Sequence, residues 1–371
     1  MPDALAPVKA ILLCEPWLPH AYGDAIRDQF NTGFIGPGRA TQAFAEALAS
    51  FSGARGCVLT ISGTVALTVA AKALDLQPGD EILVPAYGVI STVNAFASVG
   101  LRPKLVDIDR RTGCLAEERL AEAISGATRA ACFVNFSGYT GENLVNVARE
   151  CAGRNIPLIE DAACALGHRY QGRAAGTFGQ IGTYSFSVPK VVTTGQGGAL
   201  VSDHEGLLKN AAAFIDQGDL EWRKTNLNRG VGTNLRFNDI QASLGVCQML
   251  DLASRLDRRR ASFAILKAGL GSRLYSVPGT EAPLHNIVFT AEPDRLIAAL
   301  KRNAIHAVRQ YRTICQHPAY ADLARCEFPN ADYWTEHAVY LPFGMSLNAE
   351  DAERIVDAVR ESGVALDLLE D

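Results

Sequence analysis

No apolar run in this 371-residue sequence approaches the roughly 20 residues that span a bilayer. The opening MPDALAPVKAILLC also lacks a charged leader followed by a long apolar core and a cleavage site, so the chain is expected to stay in the cytoplasm. The nine cysteines (Cys14, Cys57, Cys114, Cys132, Cys151, Cys164, Cys247, Cys315 and Cys326) are odd in number, scattered, and form no CxxC pair. Neither a disulfide framework nor a zinc site is suggested. The seven histidines show no HExxH or comparable ligand spacing, and no metal centre is expected. There is no basic excess either. A net charge of -5 argues against a general affinity for nucleic acid or anionic lipid, and an anionic substrate would need local basic groups. GQGGA and GFIGPG do not spell the GxGxxG of a nicotinamide-binding turn, and no repeat, low-complexity tract or charge block is present.

What is present is the composition of a folded globular protein, with 48% hydrophobic and 20% charged residues and no sign of disorder. The length exceeds what one core usually fills. A large domain over residues 1–250 and a smaller α+β domain over 251–371 are expected. From Cys57 to about Asp203 short apolar runs (CVLTI, EILVPA, KLVDID, AACFVNF, IPLIED, TYSFS, GALVSD) alternate with helical patterns. That rhythm predicts an α/β fold with a mainly parallel central sheet covered by helices on both sides. Ligands in such sheets sit beyond the carboxyl ends of the strands, which is where chemistry should be sought. From Asn238 apolar residues at spacings of three and four predict one long helix or a bent pair that connects the two parts.

Three strand ends carry candidate chemistry. Asp161 closes the apolar run IPLIED and is followed by the small residues Ala162 and Ala163 and by Cys164. A carboxylate there can pair with a protonated pyridine nitrogen, and small residues let a flat ring lie against the backbone; it could equally cap the next helix. Lys190 stands in SFSVPKVVTTGQGG among apolar and small residues. Desolvation of the ammonium favours the nucleophilic amine that condenses with an aldehyde, whereas the plain alternative is a lysine reaching for water from a strand end. Ser62, Gly63 and Thr64 lie between the strand CVLT and the helix VALTVAAKAL. Exposed amides at that helix start, with two hydroxyls and a glycine, suit a phosphate dianion, and Ser185 could add a further hydroxyl. Singly, each has an ordinary structural reading. As a set they supply an anchor, a nitrogen partner and a Schiff-base lysine, the three needs of pyridoxal 5'-phosphate (PLP).

The ordered fragments SGTVAL (62–67), PGDEILVP (78–85), VDID (106–109), EDAACALG (160–167), SFSVPK (185–190), TTGQGG (193–198) and GTNLR (232–236), continued by FPNA (328–331) and YLPF (340–343), resemble the DegT–StrS family of nucleotide-sugar aminotransferases. The resemblance implies the aspartate aminotransferase-like PLP fold and a Schiff base at Lys190. It also implies a nitrogen partner in Asp161, a phosphate held by Gly63, Thr64 and Ser185, and an obligate homodimer in which Asn234 reaches the neighbouring subunit's phosphate. Three positions depart from the family pattern. Val89 stands where an aromatic residue usually stacks on the cofactor ring, leaving Tyr87 as a nearby substitute. Cys164 stands where Gln or His lies near the cofactor hydroxyl, and Asn135 replaces a histidine.

The reaction expected from this resemblance is transfer of an amino group, from glutamate by family analogy, to a keto group of a nucleotide-linked deoxysugar. A cyclitol or other non-nucleotide ketone as acceptor, or a PLP-binding regulatory protein without turnover, are the alternatives; Lys190 argues against a sugar dehydratase, which carries histidine there. Loops 31–38, 176–180 and 222–228 should select the substrate, with Arg223, Lys224, Arg229 and Arg236 as candidates for a diphosphate. The sugar, the carbon aminated and the nucleotide are not written in the sequence.

Overall fold

The computed structural model describes residues 9–276, 280 and 282–369. The first eight residues, on which the no-leader reading partly rests, lie outside this set. Among the described residues, a seven-stranded sheet is built from β1 (Gly56–Thr60), β2 (Glu81–Pro85), β3 (Arg102–Val106), β4 (Thr128–Val134), β5 (Leu158–Asp161), β6 (Ile181–Ser185) and β7 (Gly198–Ser202). Their spatial order is β1-β7-β6-β5-β4-β2-β3. β7 runs antiparallel to both neighbours and every other pair is parallel, so the sheet is mainly parallel as the alternation of runs predicts.

Alternate side chains of one strand point to opposite faces, and both faces are filled. β7 sends Leu200 into the core that holds Val84, Phe96, Phe133 and Ile159, and sends Ala199 and Val201 into a second core with Phe44, Phe186 and Phe237. Burial on both faces explains why these strands read as continuous apolar runs rather than alternating ones. The helix Gly63–Ala73 follows β1 and packs against β6 and β7, which fixes the direction in which its first turn points.

Helices Asp239–Leu250 and Leu252–Leu270 are a pair broken at Asp251, which ends one and starts the other. The second helix enters a separate core in which Leu266 and Leu270 meet Val288, Leu300, Val339, Leu341 and Ile355. That core rests on the antiparallel pair β8 (Asn286–Phe289) and β9 (Ala338–Leu341). Ile11 also belongs to it, bridging to Ile305, and the Phe343 amide donates to Leu13 O at 2.8 Å. The start of the described chain is thus stitched to the C-terminal part. Arg312–Thr313 pairs with Tyr87–Gly88 beyond β2, which brings the C-terminal part back over the large sheet.

Candidate active site

The three predicted strand ends meet on one edge of the sheet. Thr60 at the end of β1 is in register with Gly198, and Gly198 with Ser185 at the end of β6. A side chain at Gly198 would lie 2.3 Å from Ser62 O and 2.6 Å from Gly63 N, so only glycine lets the Ser62–Gly63 peptide fold across the strand ends. Gly63 has the same character: a Cβ there would stand 2.8 Å from Ser185 Cβ and 3.1 Å from its Oγ. Ser62 caps the helix, its Oγ accepting from Val65 N at 3.2 Å. The amides of Gly63 and Thr64, in the first turn, have no acceptor within the helix, and Ser185 packs close against Gly63. Close backbone approach, not basic side chains, shapes this helix start, and such a turn could hold an anion.

Strand alternation separates the carboxylate pair of β5. Glu160 is fully buried and accepts from Gly176 N at 2.6 Å and Phe178 N at 2.8 Å, so it ties down the 176–180 loop. Asp161 faces the site. Its Oδ2 accepts from Thr92 Oγ1 at 2.8 Å and its Oδ1 from Ala163 N at 3.2 Å. Burial raises the Asp161 pKa above the ordinary carboxylate value, opposed by these two hydrogen bonds and by the charge of Lys190. A buried carboxylate so placed is poised to receive a cation.

Lys190 follows the turn after β6, its amide donating to Ser187 O at 3.0 Å. The side chain is half buried, not enclosed, and Nζ donates to Cys164 Sγ at 3.0 Å. Asn135, at the end of β4, is fully buried: its Nδ2 donates to Tyr139 O at 3.0 Å while Oδ1 has no hydrogen-bond partner. Val89 is half buried and lines a cleft of about 470 Å³ with Ile90, Gln310, Tyr311, Arg312 and His317.

Tyr87 does not approach this site as a substitute for the missing aromatic. It is fully buried, its hydroxyl 2.9 Å from that of Tyr340 and its ring packed on Phe136, Tyr311 and Trp334, because the backbone pairing at 87–88 turns it into the core. The four candidate diphosphate cations are held by their own neighbours. Arg223 pairs with Asp216, Lys224 with Glu221 at 3.1 Å, Arg229 with Asp219 at 3.1 Å, and Arg236 with Asp216 at 3.4 Å. Asn234 is exposed, and its Oδ1 accepts from Arg236 Nε at 2.9 Å.

Several site residues gave no signal in the sequence. Thr92 lies three positions past Val89, in the first turn of helix Ile90–Ala97, where its hydroxyl can be aimed at Asp161 only once β2 and β5 are known to share the sheet. His285 is buried against Phe136, with Nδ1 unpartnered and Nε2 3.4 Å from the Tyr311 hydroxyl. Burial chiefly, then the charges of Lys190 and Arg259, push its pKa well below the ordinary histidine value, which favours the neutral ring.

A lysine amine, a buried carboxylate and a helix start that could hold an anion lie together at the carboxyl edge of a mainly parallel sheet. The chain belongs to the DegT/DnrJ/EryC1/StrS aminotransferase family, whose sequence profile matches residues 21–360. It is 28% identical over 379 residues to dTDP-4-dehydro-2,3,6-trideoxy-D-glucose 4-aminotransferase of Saccharopolyspora spinosa, covering 95% of this chain and 96% of that protein. It is 33% identical over 266 residues to L-glutamine:2-deoxy-scyllo-inosose aminotransferase of Micromonospora echinospora, covering 67% of this chain and 63% of that one. Among solved structures, aminotransferase TlmJ from Streptoalloteichus hindustanus superposes with a TM-score of 0.89 at 28% identity, covering 95% of this chain and 98% of that one. The protein is therefore an aminotransferase with the α/β fold of PLP enzymes. Among the described residues no helix is long and apolar enough to cross a membrane, and no cluster of His, Cys, Asp and Glu could hold a metal ion.

Proposed function

We propose that this chain uses PLP, held at Lys190, to move an amino group from an amino acid to the keto group of a nucleotide-linked deoxysugar. The observation that carries the reading is the convergence of Lys190, Asp161 and the Ser62–Thr64 cradle on one sheet edge. The residues fit the cofactor: a side chain at Gly63 would collide with Ser185 where a phosphate needs bare amides, and Asp161 is a buried carboxylate whose charge calls for a partner. When bound, PLP supplies an aldehyde that condenses with amines and a ring that accepts the electrons of a carbanion.

The rest is done by the protein. Asp161, fixed by Thr92 and Ala163, would keep a proton on the pyridine nitrogen. Lys190 would hold the cofactor and, once freed, carry a proton at Nζ between the cofactor carbon and the substrate carbon in each half-reaction. Ser62, Gly63, Thr64 and Ser185 would bind the phosphate. Val89 would pack on the ring face without the directional preference of an aromatic, and Cys164, in contact with Nζ, would border the ring's hydroxyl. Water would be excluded on the C-terminal side by Tyr311 and His285.

A homodimer with shared sites would give Asn234 a role and would account for the exposed apolar rim. Ile61 and Val188 flank the cradle and the lysine at 40% and 42% exposure, and Val231, near Asn234, is 95% exposed. A second copy of the chain would cover such residues and bring its Asn234 to the phosphate. Glutamate is the donor expected from the sequence, and the name of the Micromonospora relative admits glutamine. That relative also makes a cyclitol ketone the second acceptor to test. The protein is expected to work in the cytoplasm.

The test is to load purified protein with pyridoxamine phosphate and offer nucleotide-linked keto-sugars and cyclitol ketones in parallel. Return of the PLP absorption with a dTDP-, UDP- or GDP-linked keto-sugar supports the proposal. Return with cyclitol ketones alone moves the assignment to the second reading, and no response to either class overturns both.

A further inference from the structure

The segment that follows Lys190 is irregular backbone, with no strand ladder from 190 to 196; Thr194 N donates to Phe186 O at 2.9 Å and Gly197 O accepts from Phe186 N at 2.8 Å, and other peptide groups of the segment turn to side chains. Besides the segment's own threonines, three residues from outside it supply these side chains, and all stand on the broken helix pair at intervals of seven positions, hence on one face. Gln241 Nε2 donates to Thr194 O at 3.3 Å and Gln196 O at 2.8 Å. Gln248 pairs with one peptide at both ends, accepting from Thr193 N at 2.9 Å and donating to Thr193 O at 2.6 Å. Arg255 Nε donates to Val191 O at 2.7 Å, next to the lysine, and Nη1 donates to Trp17 O at 3.0 Å.

Gln248 and Arg255 are both fully buried, an unfavourable place for an amide and a guanidinium unless their hydrogen bonds are made. Arg255 has no carboxylate within ion-pair distance among the described contacts, and its Nη2 is buried without a partner. Arg255 also ties down Trp17, but the contact that Gln248 and Arg255 share is with the loop that follows Lys190. We infer that Gln248 and Arg255 are positioning residues for Lys190, setting its amine in register with Asp161 and with the cradle. The inference rests on the proposed role of Lys190. It predicts that loss of either clamp slows bond formation at Nζ more than it weakens binding of the amino donor.

The experiment uses the full-length protein incubated with PLP and reduced with borohydride, with the rate of covalent labelling followed by peptide mass. Variants are Gln248→Met, which keeps the volume and removes both hydrogen bonds to Thr193, Arg255→Met, and the milder Arg255→Lys, which can still reach one carbonyl. Arg258→Met serves as the control. Arg258 lies on the same helix and over the same Trp17 ring, yet binds Met345 O and Ser346 O and does not touch the lysine loop. Labelling at Lys190 should slow at least about tenfold in Gln248→Met and Arg255→Met. Arg255→Lys should recover part of the rate, and kcat should fall in parallel with KM for the donor little changed. Arg258→Met should lower the urea midpoint but leave the labelling rate alone. Wild-type protein that is not labelled at Lys190 would defeat the proposed function itself. Wild-type labelling at Lys190 together with an unchanged rate in Gln248→Met, or an equal slowing in Arg258→Met, would overturn the positioning role alone. Should Arg255→Met fail to fold, Gln248→Met and Arg255→Lys decide the matter.

Discussion

Replacing Gly63 with alanine isolates the cradle from the rest of the site. The new methyl would stand 2.8 Å from Ser185 Cβ and 3.3 Å from Ser185 Cα. Ordinary carbon contacts begin near 3.5 Å, so the helix start and the end of β6 must separate by roughly 0.5 Å or more. Ser185 Cα is backbone in register with Gly198, so the strain cannot be relieved by rotating a side chain. Overpacking of this kind costs about 1–3 kcal/mol, offset by up to about 1 kcal/mol from the better helix propensity of alanine. A small net loss of stability is expected. The larger effect falls on the phosphate. Losing one charge-assisted hydrogen bond from Gly63 N or Ser185 Oγ is worth about 1.5–3 kcal/mol, which weakens PLP binding about 10- to 100-fold. The assay is a cofactor titration by absorbance, with urea denaturation of the cofactor-free variant alongside. Gly206→Ala is the reference, since its Cβ would meet nothing within 4 Å and lies in the first turn of helix Glu205–Ile215. A Gly63→Ala protein that binds PLP as tightly as the Gly206→Ala protein would refute the cradle.

Other outcomes follow from the same geometry. Thr92→Val removes the 2.8 Å hydrogen bond that stabilises ionised Asp161; PLP affinity should drop about three- to tenfold and the acid limb of kcat/KM should move to higher pH, and an unmoved limb would show that Thr92 is only packing. Asp161→Asn should nearly abolish turnover yet leave the cofactor-free protein at least as stable as wild type. The sign follows from the raised pKa: native Asp161 keeps its proton to a higher pH than the unfolded chain does, so wild type loses stability as pH rises from the unfolded value of about 3.9 toward the raised native one, and the asparagine variant lacks that loss. Urea midpoints across that window would contradict this if the two proteins ran parallel. Mixing Lys190→Ala and Asn234→Ala subunits should yield a heterodimer with one doubly defective site and one intact site, retaining about half the activity if sites are shared as proposed; complete inactivity in that heterodimer would count against sharing.

The fold was legible because βαβ units announce themselves. Runs buried on both faces, such as those at β4 and β5, read as continuous apolar stretches, and the helix break at Asp251 sits within the pattern that suggested a bent pair. That the Ser62–Thr64 turn, Asp161 and Lys190 would share one sheet edge was legible because each lies at or soon after the end of its own strand, where local order and spatial position coincide. Thr92, His285, Tyr311, Gln248 and Arg255 were not, because their partners lie tens of residues away or more and only the crossing order of the strands and the return of the C-terminal part bring them in. Tyr87 misled for the converse reason. Its place two residues before Val89 in the sequence suggested the ring face, but the pairing of Tyr87 with Thr313 fixes its ring in the core against Phe136, Tyr311 and Trp334, contacts that only the return of the C-terminal part supplies. The cationic residues around 223–236 are likewise attractive as a list and, in the fold, are occupied by Asp216, Asp219 and Glu221.

The most direct measurement is the site of covalent attachment. Purified protein incubated with PLP should turn yellow, and after borohydride reduction one peptide, containing Lys190, should gain the mass of the reduced cofactor, with Lys190→Ala protein gaining none. Attachment at another lysine, or no attachment at all, would contradict the account at its centre.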